Sequence, residues 1–173
     1  VLTTLGQKEP DRVPLFLLLT MHGAKELGMS IQDYFSKGEN VAEGQLRLRK
    51  KYGHDCYYSF FYAPIEVEAW GADVIYHEDG PPNSGEPIIQ NIDEILNLKS
   101  PSIKGNSALE KNLKCIEILK EKGEEEVPIV GVVMSPFSLP VMQMGFEKYL
   151  LLMHERPDIF EHLMKLNEEF AVS

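Results

Sequence analysis

The stretch PIVGVVMSPF, residues 128–137, decides how this sequence folds. Its first seven residues, 128–134, form a nearly continuous apolar run, which is typical of a β-strand buried on both faces. Two earlier stretches share this character, VPLFLLL at residues 13–19 and the aromatic-rich DCYYSFFY at residues 55–62. We therefore predict three buried strands, at residues 13–19, 55–62 and 128–134.

Helical patterns separate these strands and follow the last one. Ser30, with Asp33 three residues on, indicates a helix start of the capping-box type. A second helix is predicted from Glu39 to Tyr52, where Gly53 ends it. Further helical patterns cover residues 64–71, 92–98, 107–123, 146–155 and 157–170. The alternation of strands and helices predicts a parallel sheet.

One segment breaks this alternation. Short strand patterns at residues 72–76 and 87–90 flank the turn-rich sequence EDGPPNSG, residues 78–85. Gly, Pro, Asn and Asp clusters between two apolar runs favour a chain reversal. We therefore predict a β-hairpin inserted after the second strand.

Bulk properties limit the classes of function. The chain has 173 residues, which suits one domain over residues 1–173. Its net charge of −10 argues against a nucleic-acid or anionic-membrane partner. No apolar run reaches the roughly 18 residues of a membrane span, and no signal-peptide pattern is present. We expect a soluble, cytoplasmic protein. The helical pattern continues to Phe170 without a stop signal, which predicts a truncated chain.

Several short motifs occur in a fixed order along the chain. They are PDRVP at residues 10–14, YGHD at 52–55, IEVEAWGADV at 65–74, EDGPP at 78–82, GVVMSPFSL at 131–139 and RPD at 156–158. This ordered set resembles the uroporphyrinogen decarboxylase and cobalamin-dependent methyltransferase superfamily over nearly all residues. The resemblance implies an α/β fold, the N-terminal half of a (β/α)8 TIM barrel, because family members are about twice as long.

The resemblance implies one of two chemistries. Some members decarboxylate uroporphyrinogen without a cofactor; others use zinc to move a methyl group between a corrinoid protein and a thiol such as coenzyme M. The decarboxylases carry arginines after the first strand, where residues 20–24 here have none. Their second-strand aspartate corresponds to Tyr62, and their later tyrosine to Val141 or Met142. A polyanionic substrate with central N–H groups needs guanidinium and carboxylate partners, so we favour the methyltransferase type.

Alternatives remain open at this point. The protein could be a uroporphyrinogen decarboxylase of porphyrin biosynthesis whose cations come from the other half of the barrel. It could also be a non-catalytic corrinoid-docking barrel. Three strands with unpaired edges cannot close a barrel, so this half alone is expected to be inactive and to associate, for example as a homo-oligomer. The expected partners are a small-molecule thiol or tetrapyrrole substrate and a corrinoid protein.

The two cysteines match the residue spacing of the family's zinc ligands but lie in a different part of the chain. His54, Asp55 and Cys56 form a His-x-Cys pair, and Cys115 lies far downstream. In the family, however, the zinc ligands come from the second half of the chain. We therefore predict no metal ligand in this half, although the resemblance implies zinc and a corrinoid as cofactors of the whole enzyme. The thiols are predicted to be buried and inert.

Candidate site residues follow from the barrel expectation, because chemistry in these barrels gathers at the carboxyl ends of the strands. His22, after the first strand, is a candidate acid or base, or a histidine bonded to a loop carbonyl. Tyr62, after the second strand, is a candidate catalytic hydrogen-bond donor or a core residue. Glu66 falls two residues before Glu68 and hence on another helix face. The predicted substrate-binding residues are Glu68, Met134, Ser135 and Phe137.

Overall fold

The computed structural model describes residues 1–173, which form two compact units. The first unit comprises Val1–Phe61, His77–Pro81 and Lys111–Val132, and the second comprises Tyr62–Tyr76, Pro82–Glu110 and Val133–Ser173. The helices are α1 Leu2–Leu5, α2 His22–Leu27, α3 Ile31–Phe35, α4 Gly38–Tyr52, α5 Ile65–Ala69, a 3-10 helix Ile92–Asn97, α6 Ser107–Lys122, α7 Leu139–Met144, α8 Phe146–Glu155 and α9 Pro157–Val172. The strands are β1 Tyr57–Tyr58, β2 Val74–Ile75, β3 Asn83–Ser84 and β4 Ile129–Val130.

A parallel strand pair, β1 with β4, lies in the first unit. Tyr57 is opposite Ile129 and Tyr58 is opposite Val130. The Tyr57 N–H donates to the Pro128 carbonyl at 2.8 Å. The second and third predicted strands therefore exist and pair in parallel, but each ladder is only two residues long. The prediction that the third strand is buried on both faces is wrong, since Ile129 and Val130 are half-buried and Val133 is 63% exposed.

The first predicted strand, residues 13–19, is wrong. The segment forms no strand, and Val13 is 86% exposed and Leu18 63% exposed rather than buried. The Asp55 N–H donates to the Leu15 carbonyl at 2.8 Å, while the Leu15 N–H donates to the Asp55 carboxylate at 2.6 Å. Because a side chain accepts the bond that a backbone carbonyl would take in a sheet, no ladder propagates from this point.

Helices α3 and α4 begin and end where the sequence predicts. The Ser30 hydroxyl accepts the Asp33 N–H and caps α3, and α4 ends at Gly53, which has a left-handed φ of 65°. The buried face of α4 carries Val41 and Leu48. Tyr52, the last residue of the helix, is 45% exposed.

The second unit contains an antiparallel strand pair, β2 with β3. Val74 is opposite Ser84 and Ile75 is opposite Asn83. The second hairpin strand was expected at residues 87–90, and this expectation is wrong. The Gly85 N–H donates to the Asp73 carbonyl beside the pair, whereas the Ile89 N–H donates to the Gln143 carbonyl of α7. The apolar run at 87–90 is thus used for packing, and Ile89 is buried.

The core of the second unit is built by the 3-10 helix, α7, α8 and α9. Its buried members are Ile89, Ile95, Met144, Tyr149, Leu152, Ile159 and Leu163. Within it, Gln143 and Asn167 are fully buried and exchange two amide hydrogen bonds of 3.1 and 2.9 Å, so neither amide is left unsatisfied. None of the helices has both the length and the apolar character needed to cross a membrane.

A close backbone approach at Gly38 gives the first prediction. A Cβ atom there would lie 2.3 Å from the Lys111 carbonyl oxygen of α6, which is backbone and cannot rotate away. We expect Gly38→Ala to lower the free energy of unfolding by about 1–3 kcal/mol, as overpacking does. Urea denaturation measures the change in the free energy of unfolding. Gly131→Ala is the matched control, because a Cβ atom on residue 131 would meet nothing within 4 Å. Equal stability of the two variants would contradict the described packing of α4 on α6.

Candidate functional site

Tyr62 and Glu68 form a polar pair in the second unit, in which Tyr62 is buried and Glu68 is half-buried. Tyr62 is 2% exposed, and its carbonyl accepts the Ile65 N–H at the entry to α5. Its phenol O–H donates to Glu68 Oε2 at 2.5 Å. The Tyr62 ring also packs edge-on against Tyr76, with centroids 5.9 Å apart. The structure therefore brings together two of the predicted site residues, Tyr62 and Glu68.

The environment fixes the protonation state of this phenol. Burial raises the pKa of Tyr62 well above its ordinary value, and the hydrogen bonds with Glu68 and Tyr76 raise it further. Burial also raises the pKa of Tyr76. Burial and these hydrogen bonds disfavour the phenolate form of Tyr62, because a negative charge on its oxygen would be neither solvated nor paired beside Glu68. Tyr62 is consequently a permanent hydrogen-bond donor at neutral pH.

Glu66, which sequence reasoning set aside, makes the second polar link of α5. It is 7% exposed, and its Oε1 accepts the Met134 N–H at 2.7 Å. Its Oε2 is buried without a hydrogen-bond partner. Burial raises the pKa of Glu66, against the lowering effect of the Met134 N–H. Neither helical spacing nor charge pattern signals this contact, since Met134 lies far away in sequence.

The segment after β4 carries the other predicted contact residues. Met134 is half-buried, whereas Ser135 and Phe137 are exposed. The Ser135 hydroxyl accepts the Phe137 N–H at 3.2 Å, and the Phe137 carbonyl accepts the Tyr149 O–H at 2.8 Å. The Phe137 ring lies edge-on to Tyr149 at 5.7 Å. Tyr149 therefore anchors this turn through the carbonyl and the ring of Phe137.

His22 belongs to the first unit, whereas Tyr62, Glu68 and Met134 belong to the second. It was predicted to follow the first strand, but residues 13–19 form no strand and His22 is the first residue of α2. Its side chain is exposed, with no hydrogen bond to a loop carbonyl, and it lines a surface cavity of about 450 Å³. The cavity is formed by α2, the start of α3, and Glu78 and Asp79.

The zinc-like sequence around His54 does not form a metal site. Cys56 is 2% exposed and Cys115 is fully buried. Burial raises the pKa of both thiols, that of Cys115 to about 12, and lowers the pKa of the buried His54 imidazole. No group of three or more His, Cys, Asp or Glu side chains could hold a metal ion.

The PDRVP and YGHD motifs meet in a structural contact. The Arg12 guanidinium forms an ion pair with the Asp55 carboxylate. The pKa of Asp55 is lowered by the Leu15 N–H first and then by Arg12. Arg12 and Asp55 thus attach segment 13–19 to the residues just before β1. This contact gives the two motif residues a structural role.

The parallel pair β1–β4, the antiparallel pair β2–β3 and the helices between and after them make this a mixed α/β chain. The uroporphyrinogen decarboxylase (URO-D) pattern matches residues 1–173. The chain therefore belongs to the uroporphyrinogen decarboxylase family, which confirms the resemblance seen in the sequence motifs.

A solved structure shows the same fold. It is described as a methyltransferase from Methanosarcina mazei, and it superposes with a TM-score of 0.86 at 18% sequence identity. The match covers 98% of this chain and 51% of that one, so this chain spans about half the length of the solved relative. No curated protein sequence matches the chain.

The buried Glu66 carboxyl gives the second prediction. Its raised pKa means that the folded state binds the proton more tightly than the unfolded chain. Glu66 thus favours folding at low pH and loses this contribution as pH rises through its folded pKa. We expect the stability of Glu66→Gln relative to the unsubstituted protein to increase from about pH 4 to about pH 7.

Urea denaturation as a function of pH measures this difference. Glu125→Gln is the control, because Glu125 is exposed and its substitution should give a nearly constant difference. A flat pH dependence for Glu66→Gln would contradict the burial of this carboxyl.

Proposed function

We propose that the protein is a methyltransferase-like member of the family, which moves a methyl group between a corrinoid and a thiol. The observation that carries the proposal is the buried phenol of Tyr62, whose O–H is committed to Glu68. In the decarboxylase pattern the matched position is an aspartate that receives the pyrrole N–H groups. A neutral phenol whose hydrogen already has a partner does not replace that charge.

Substrate charge supports the same choice. A uroporphyrinogen substrate carries many carboxylates, which call for guanidinium groups around the pocket. The sequence TMHGA at residues 20–24 contains none, and its one titratable side chain is His22. The exposed imidazole of His22 suits proton transfer with a small substrate better than recognition of a polyanion.

The proposed reaction releases one proton. The acceptor thiol loses its proton, the sulfur forms a bond to the methyl carbon, and the electron pair of the carbon–cobalt bond stays on the corrinoid. We propose that solvent takes up this proton, and His22 stays a candidate acid or base of the first unit. Tyr62 holds one Glu68 oxygen in place, and Glu66 holds the backbone at Met134. Glu68, Met134, Ser135 and Phe137 would then present fixed contacts to the substrate.

This chain brings together no group of three or more His, Cys, Asp or Glu side chains that could hold zinc. We therefore assign no reaction step to a metal here. We propose that any zinc ligands belong to the half of the fold that the solved relative has and this chain does not span.

The proposal extends to the architecture of the whole protein. We propose that residues 1–173 form the N-terminal half of a single (β/α)8 barrel domain. A cytoplasmic location, a corrinoid-protein partner and a homo-oligomer belong to the same proposal. The parallel β1–β4 pair and the fold likeness support it.

An activity assay on the full-length protein tests the proposal. With methylcobalamin as donor and coenzyme M as acceptor, we expect methylation of the thiol and no consumption of uroporphyrinogen. Tyr62→Phe should lower the methylation rate by about tenfold or more, the size expected for loss of one hydrogen bond to a charged group. Tyr52→Phe is the matched control, because that ring is 45% exposed on α4.

The decarboxylase alternative gives the opposite pattern. Consumption of uroporphyrinogen without methylation of the thiol would overturn the proposal. Methylation that is equally fast in Tyr62→Phe would remove the role given to the phenol.

A further inference from the structure

We propose that the surface cavity of the first unit binds a small aliphatic zwitterion, a molecule with an amine at one end and a carboxylate at the other. The cavity is an open depression of the surface with a volume of about 450 Å³. It is lined by Met21, His22, Ala24, Lys25, Met29, Ser30, Ile31, Glu78 and Asp79. All of these residues lie in the first unit.

The lining carries both signs of charge. The cation, Lys25, comes from α2, as does the His22 imidazole, whereas Glu78 and Asp79 come from a distant segment of the chain. All four side chains are exposed. None of them makes a hydrogen bond or an ion pair in the structure, although many other charged side chains do. The cavity thus offers unpaired cationic and anionic groups around one space.

The charges limit the chemistry of a ligand. A simple anion would meet Lys25 but be repelled by Glu78 and Asp79. A simple cation would meet the carboxylates but be repelled by Lys25. A zwitterion satisfies both sets, with its carboxylate near Lys25 and its amine near the carboxylates.

The rest of the lining fits a short hydrocarbon spacer. Met21, Met29 and Ile31 contribute apolar atoms, and methionine side chains adapt to ligands of different shape. A polar linker such as a sugar would find few partners on these residues. An aliphatic chain between the two charged ends matches this surface.

This inference goes beyond the proposed methyl transfer and does not depend on it. His22 lines the cavity, but the argument rests on the charges and volume of the cavity. A binding measurement therefore tests it separately from any activity assay.

Titration calorimetry at low salt with the full-length protein is the first measurement. The probe is ε-aminocaproate, and caproate and hexylamine are the controls with one charged end each. We expect ε-aminocaproate to bind at least about tenfold more tightly than either control. Equal binding of all three probes, or no binding of ε-aminocaproate, would overturn the proposal.

Charge-specific variants distinguish recognition from misfolding. We expect Lys25→Met to weaken ε-aminocaproate about tenfold and to improve binding of hexylamine. Asp79→Asn should likewise weaken the zwitterion, but improve binding of caproate. Lys50→Met and Asp11→Asn are the matched controls, because both residues are exposed and lie outside the cavity lining. Wild-type affinity in Lys25→Met and Asp79→Asn would contradict the site.

Discussion

The parallel pairing of β1 with β4 is the constraint on which the first unit depends. It joins residues far apart in sequence, through only two residues of ladder on each strand. Side chains reinforce this short pairing. The Tyr57 hydroxyl accepts the Glu124 N–H at 3.1 Å, and the Ser59 hydroxyl donates to the Val130 carbonyl at 3.2 Å. A Cβ atom on Gly123 would lie 2.7 Å from the Tyr57 ring, so glycine permits this close approach. A ladder this short needs such support, since isolated strand pairs are marginal in water.

Side-chain hydrogen bonds also organise the candidate site of the second unit. Tyr62 and Met134 each lie four residues beyond the end of a paired strand, and α5 contacts both of them through carboxylates. Glu68 receives the phenol O–H, and Glu66 receives a backbone N–H. Burying the Glu66 carboxyl costs stability, since its Oε2 has no hydrogen-bond partner. A carboxyl whose pKa is raised by burial, as that of Glu66 is, is a common feature of functional sites.

The sequence predicted the elements whose signals are local. Helices α3 and α9 start where expected, because the Ser30 hydroxyl caps α3 and Pro157 suits the first turn of α9. Helix α8 also starts where expected. The errors occurred where tertiary contacts decide. Residues 13–19 look like a buried strand, but the Asp55 carboxylate takes the place of a strand partner. Residues 87–90 look like a hairpin strand but pack on α7. Helices α2 and α7 are six residues each, too short for a periodic signal. The Glu66–Met134 bond has no local signal at all.

Hydrogen–deuterium exchange tests the central claim most directly, namely that the β1–β4 pairing organises the first unit while the segment 13–19 stays outside a sheet. The amides of Tyr57 and Ser59 donate to Pro128 and Val130. We expect these two amides to exchange slowly, through global unfolding, and the amides of Phe16 and Leu18 to exchange far faster. Fast exchange at Tyr57 and Ser59, or protection spread evenly over residues 13–19, would contradict the account.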